Sequence, residues 1–193
     1  MQGVVILFIN SHLVIGNFIY NKIFDNFEVE LDKKAFLYGC IKPDISTSYL
    51  FIPHYMDKSF DFISNLIIKL ESSNIPTVKK SMILYSTELG VVTHYIADYF
   101  CFPHNDMVFY RTLNHFFYEY NLIFEFNKLD LNDIFIKETQ PIEIIDYIIK
   151  NHTEYHKDAR GIKTDVYFST NICTNSILMI INQCILNSKN LVA

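Results

Sequence analysis

From Leu89 to Phe100 the sequence reads LGVVTHYIADYF, a run apolar enough to be buried that nevertheless carries His94 and Asp98. A separation of four places the two on one face of a helix, about 40° apart and one turn up. Burying an unpaired carboxylate is costly, and the usual remedies are a charge partner or a metal ion. No Lys or Arg lies between Lys80 and Arg111 to serve as that partner. The stretch therefore predicts a core helix whose buried acid is matched by a charge partner or a metal ion.

The rest of the chain can supply such a core. Half of its 193 residues are hydrophobic, enough to surround a buried helix, and Gly and Pro together number only ten, which favours long helices over a turn-rich β-sandwich. The net charge of −5 disfavours bulk electrostatic binding to nucleic acid or to anionic membrane. Cys40, Cys101, Cys173 and Cys184 lie far apart with no C-x-x-C pair, and read as buried thiols of a reducing compartment. The first twenty residues hold no Lys or Arg and no small-residue cleavage site, so no secretory signal is expected. No apolar run approaches the roughly 18 residues of a membrane span. These features predict a soluble cytoplasmic protein.

Helical periodicity organises the chain. Residues 3–23 are dense enough in apolar side chains for a buried helix, interrupted by Ser11 and His12. Residues 33–55, with Gly39, Pro43 and Pro53, read as loop with short turns. Phe60, Ile63, Leu66, Ile67 and Leu70 repeat at three and four and predict an amphipathic helix over 57–71. Thr77 is placed to cap a second helix, running to residue 99 or 100 and stopped by Pro103. Further helices are expected over 109–126, over 141–156 from Pro141, and over 165–188, with a polar linker at 130–140. There is no internal repeat and no composition break, so the expectation is one all-α, single-domain helical bundle over 1–193.

Five of the seven histidines join three acids in a candidate cluster. His115 and Glu119 repeat the spacing of His94 and Asp98 in the aromatic stretch LNHFFYEYN. Each pair is an H-x-x-x-[DE] unit, a helical way of presenting an imidazole and a carboxylate to zinc or iron. His104 lies between the pairs. In one straight helix it would stand about 16 Å from His115 along the axis, so sharing an ion requires a non-helical His104–Met107 that folds His104 back. Pro103, Asn105 and Asp106 suit such a turn. His12 interrupts the first apolar helix, Asp44 follows Pro43 in GCIKPDIS, and His54 follows Pro53 in FIPHY. A loop residue behind a proline is well placed to project a ligand, although Asp44 fits a plain turn or helix cap equally well. Eight N/O ligands exceed one tetrahedral zinc and suit two or three ions. His152 and His156 are also four apart, but in polar KNHTEYHKD they read as a solvated helix face.

The ordered pattern His12, Asp44, His54, H-x-x-x-D-x5-H over His94, Asp98 and His104, then H-x-x-x-E over His115 and Glu119, resembles the zinc-dependent phospholipase C family of bacteria. GCIKPDIS resembles that family's G-x-x-x-PD loop, and THYIADYFCFPHN its central metal-binding helix and the turn that follows. The resemblance covers residues 12–119 and implies an all-α fold, shared with single-strand nucleases, around a cleft with two to three zinc ions. It implies one zinc on Asp44, His54, His94 and Asp98, a second on His104, His115 and Glu119, and a third on His12 with Asp98 bridging. Secreted members complete the third site with an N-terminal Trp, and this chain has no Trp. The implied chemistry is metal-assisted hydrolysis of a phosphodiester, with the ions neutralising phosphate oxygens and acidifying a water whose proton passes to Asp44. The implied substrate is a phospholipid or other phosphodiester, which brings peripheral contact with a membrane but no nucleic acid. No residue here matches those that read the choline headgroup in the secreted enzymes, and the oligomeric state is not legible. Two alternatives stand beside this reading: a single-strand nuclease, whose last motif is usually H-x-x-x-D, and a metal-binding relative without turnover.

Overall fold

The computed structural model describes residues 2–105, 114–128, 143–158 and 161–190, with the side chains of 2–10, 114–116, 119 and 190 outside that description. The described residues form seven α-helices and no strand: α1 (Gln2–Phe27), α2 (Lys33–Ile45), α3 (Met56–Glu71), α4 (Lys79–Tyr99), α5 (Asn114–Phe126), α6 (Ile144–Tyr155) and α7 (Ile162–Asn190). Short 3-10 turns cover Thr47–Tyr49 and Phe102–Asn105. The all-α expectation holds, and no helix among the described residues is long and apolar enough to cross a membrane.

Helix α4 is the axis of the molecule. Every residue from Leu89 to Cys101 is buried, because α1, α2, α3 and α7 all pack against it. A helix surrounded in this way needs apolar side chains on every face, which is why this stretch shows no amphipathic stripe. Its neighbours each turn one stripe inward. On α3 the buried residues are Ser59, Ile63, Ile67 and Leu70, with Phe60 and Leu66 at the margin of the core, as the spacing predicts. Helix α7 contributes Ile172, Cys173, Ile177, Ile180, Ile181 and Cys184. All four cysteines are buried thiols.

Four sequence expectations need correction. Residues 33–55 are not all loop, since α2 occupies Lys33–Ile45 and continues through Pro43. Asp32 caps it by accepting the Ala35 N–H at 2.9 Å, and the Ser46 N–H closes its last turn on the Lys42 carbonyl. Gly39 is here a contact residue rather than a breaker. A Cβ at Gly39 would meet the Thr87 carbonyl oxygen at 2.2 Å, and one at Gly90 would meet the Phe36 oxygen at 2.2 Å. The two glycines let α2 and α4 cross with their backbones touching. Asp44 consequently lies in the last turn of a helix and not in a loop.

Thr77 does not cap α4; the N-cap is Val78, without a side-chain hydrogen bond. His104 and Asn105, expected in a non-helical stretch over His104–Met107, lie in a 3-10 turn over Phe102–Asn105, although α4 does end before them as the rise argument requires. His152 is not on a solvated face. Its Nε2 lies 3.3 Å from Asn105 Oδ1 and its ring packs edge-on against Phe100. The predicted starts at 109 and at Pro141 and the linker at 130–140 fall outside the described residues, as do Asp106 and Met107.

Candidate metal centre

Five separate segments deliver six of the eight candidate ligands to one place. His12 comes from α1, Asp44 from the end of α2, and His54 from the irregular segment before α3. His94 and Asp98 come from the buried middle of α4, and His104 from the 3-10 turn beyond it. His115 and Glu119 belong to α5, but their side chains lie outside the described residues.

Asp98 is the hub, only 2 % exposed. Its Oδ1 faces His12 Nε2 at 3.3 Å and His104 Nε2 at 3.5 Å. Its Oδ2 faces His54 Nδ1 at 2.7 Å and His94 Nε2 at 3.1 Å. Asp44 Oδ1 stands on the outer side, 3.9 Å from His54 and 3.8 Å from His94. His54 Nδ1, His94 Nε2 and Asp98 Oδ2 lie within 3.2 Å of one another, and the triples His12, Asp44 and His94, and His54, Asp98 and His104, each offer one ligand atom per residue within 4.8 Å. Asp44, His54, His94 and Asp98, the set that the resemblance implies for one zinc, are thus neighbours, with gaps of 2.7 to 3.9 Å. Burial by itself would push the Asp98 carboxyl up, but the imidazoles of His104, His94 and His12 outweigh it and hold the group well below the usual carboxylate range.

The residues present fit a cation. His94 Nδ1 lies 2.8 Å from the Cys40 carbonyl oxygen, which can only accept, so Nδ1 carries the proton. The lone pair of Nε2 then points into the cluster, the arrangement that a carbonyl behind a metal-binding histidine produces. The His12 and His94 rings are 4.0 Å apart, and His94 Nε2 is 3.2 Å from His54 Nδ1. Asp44 Oδ2 is buried and has no hydrogen-bond partner among the described residues. Imidazoles and carboxylates are the donor set of zinc. The close α2–α4 crossing at Gly39 and Gly90 is what brings the Cys40 carbonyl to His94.

The His104 turn is supported by Asp165, which the sequence did not single out, and by Asn105 and His152, which it offered only as a turn residue and as part of a solvated face. Asp165, on the first turn of α7 and 0 % exposed, accepts the Phe102 N–H at 2.6 Å. It also accepts the hydroxyls of Tyr118 and Tyr155, each at 2.8 Å. Burial raises its carboxyl to about 6, against the opposing pull of these three donors and of His104. In the sequence it is simply an acid near a helix start, where the helix dipole favours one. On the other side of the turn, Asn105 Nδ2 donates to the carbonyls of Tyr99 and Cys101, and His152 reaches Asn105 from α6. Burial, reinforced by neighbouring His156, lowers the His152 imidazole to about 4, against the pull of the Tyr99 backbone, so it is neutral near pH 7.

The model of one protein family, described as zinc dependent phospholipase C, matches residues 11–162. That span contains all eight candidate ligands and stops before Asp165 and most of α7. No curated protein and no solved structure gives a match.

Proposed function

The chain belongs to the zinc-dependent phospholipase C family, and from that premise we propose that it hydrolyses a phosphodiester, the headgroup linkage of a phospholipid, at the cluster centred on Asp98. The observation that carries this reading is the convergence of His12, Asp44, His54, His94, Asp98 and His104, from five segments, within the matched span. These six would hold two to three zinc ions, with His115 and Glu119 completing the set from α5. When bound, zinc supplies Lewis acidity, neutralising phosphate oxygens and lowering the pKa of a water toward 7.

The chain's own residues divide the remaining work. Asp98, enclosed by four imidazoles, has no open direction for a proton and serves as the fixed negative centre. Asp44 has a side chain more open to solvent than that of Asp98, and a buried oxygen with no partner among the described residues, so it is the group to receive the proton of the attacking water. His94, oriented by Cys40, holds its lone pair in place. The bond from water oxygen to phosphorus forms as the ester P–O bond breaks, and the leaving alkoxide takes its proton from solvent. The acidic net charge favours this substrate over a nucleic acid.

The test is parallel hydrolysis of a phospholipid and of single-stranded DNA by the zinc-loaded protein. Release of the phosphorylated headgroup, abolished by chelation, is the expected result. Cleavage of DNA alone would instead identify a nuclease. Bound zinc with neither activity would identify a relative that keeps its ligands without turnover.

A further inference from the structure

The segment between Asp44 and His54 presents an apolar tip at the edge of the cluster. Ile45 is exposed, Leu50 is 70 % exposed, and Phe51, at 94 %, is the most accessible large hydrophobic side chain described. This tip is built on a hydrogen-bonded turn. The Tyr49 N–H donates to Ser46 O, the Ile52 N–H to Tyr49 O, and the Tyr95 hydroxyl ties Ile52 O to α4 at 3.2 Å. Behind the tip sits a polar-aromatic collar. Lys42 Nζ lies over the rings of Tyr38 and Tyr49 at 5.9 and 5.4 Å, and Tyr49 packs edge-on against Phe62. Apolar side chains foremost, with Tyr and a snorkelling Lys behind them, are the order in which a protein surface enters the water–bilayer boundary. Phe51 is also three residues from His54, no more than about 11 Å along the chain.

We propose that residues 45–51 form an interfacial docking loop that inserts Leu50 and Phe51 into a zwitterionic phospholipid surface and brings the Asp98 cluster to the headgroup layer; this rests on the phosphodiesterase reading above. The shape favours a bilayer over a folded partner, because a protruding phenylalanine needs a matching cavity in a protein but none in a yielding lipid surface. The net charge of −5 favours a zwitterionic surface over an anionic one. A fixed turn also spares the ordering cost that a loose loop would incur on insertion.

The experiment combines cosedimentation with large phosphatidylcholine vesicles and fluorescence. The chain has no Trp, so Phe51→Trp introduces a single reporter. Full burial of one large apolar side chain is worth roughly a tenfold to hundredfold change in partition. The Leu50→Ser/Phe51→Ser double variant is therefore expected to bind vesicles at least tenfold more weakly than wild type. It should keep the wild-type zinc content and the wild-type turnover of a water-soluble chromogenic phosphodiester. The Trp at position 51 should shift to shorter wavelength on adding vesicles. Equal partition of wild type and double variant, or an unchanged Trp spectrum, overturns the proposal. Concentration-dependent dimers that the double variant abolishes, with no vesicle binding, overturn it in favour of a second copy. Wild-type vesicle binding that the double variant loses, in a protein that never turns over the soluble phosphodiester, upholds the docking loop and removes the phosphodiesterase reading.

Discussion

At Asp98 each carboxylate oxygen faces a different pair of imidazoles, Oδ1 toward His12 and His104 and Oδ2 toward His54 and His94. A carboxylate so placed can serve two cations at once, whereas an amide of the same size cannot. Asp98→Asn is therefore expected to lose at least one zinc per chain and about 10²–10³-fold in hydrolysis, the equivalent of roughly 3–4 kcal/mol. Exposed Lys157→Ala should stay near wild type; full zinc and full turnover in Asp98→Asn would remove the bridging role. Asp165 gives a prediction in pH. Its folded value, about 6, lies above the unfolded carboxylate value, so the folded state holds this proton more tightly. The stability it contributes is fully present below about pH 4 and is lost as pH rises through 6. Relative to Asp165→Asn, wild type should lose up to about 3 kcal/mol between pH 4 and 7, read from urea unfolding at each pH. Parallel curves for the two proteins would show that Asp165 does not titrate in this range. The ligand spacings on α4 were legible in sequence because they are local, whereas the role of Asp165 depends on partners drawn from α5, α6 and the turn at Phe102.

Among the elements, α2 and α4 show why local signals fail where packing decides. Gly39 and Pro43 look like breakers, but α2 runs through both, and Gly39 lies against the Thr87 carbonyl as Gly90 does against the Phe36 oxygen. Nothing adjacent in sequence records that contact. The amphipathic α3 and the buried α4 were legible because their periodicity and apolar length carry the information within the segment. The crossing also brings the Cys40 carbonyl to His94, so disturbing it should reach the site. Gly39→Ala is expected to cost about 1–3 kcal/mol or more, because its Cβ meets backbone that cannot yield like a side chain. It should also weaken zinc binding, measured by competition with a chromogenic chelator. Gly161, whose Cβ would meet nothing within 4 Å, is the control, and Gly161→Ala should be neutral or slightly stabilising, within about 1 kcal/mol. Equal stability and equal zinc affinity for the two variants would contradict the close crossing.

Taken as a whole molecule, the cluster is a cross-link. Its ligands come from α1, α2, the segment before α3, α4 and the turn after it, so bound ions would tie together segments from His12 to His104. Removing them leaves carboxylates and imidazoles buried without a cation. Ligand at about 1,000 times its Kd adds roughly 4 kcal/mol, and 1 kcal/mol moves the Tm of a chain this size by about 2–4 °C. Chelation should thus lower Tm by on the order of 10 °C in a thermal scan, and an unchanged Tm would place the site outside the cooperative core. The decisive quantity is the zinc content of the protein purified without chelators, by elemental analysis against chain concentration. Two to three zinc ions per chain is the expected value, since the ligand set exceeds what one ion can use. Less than about one per chain would contradict a multinuclear centre at Asp98.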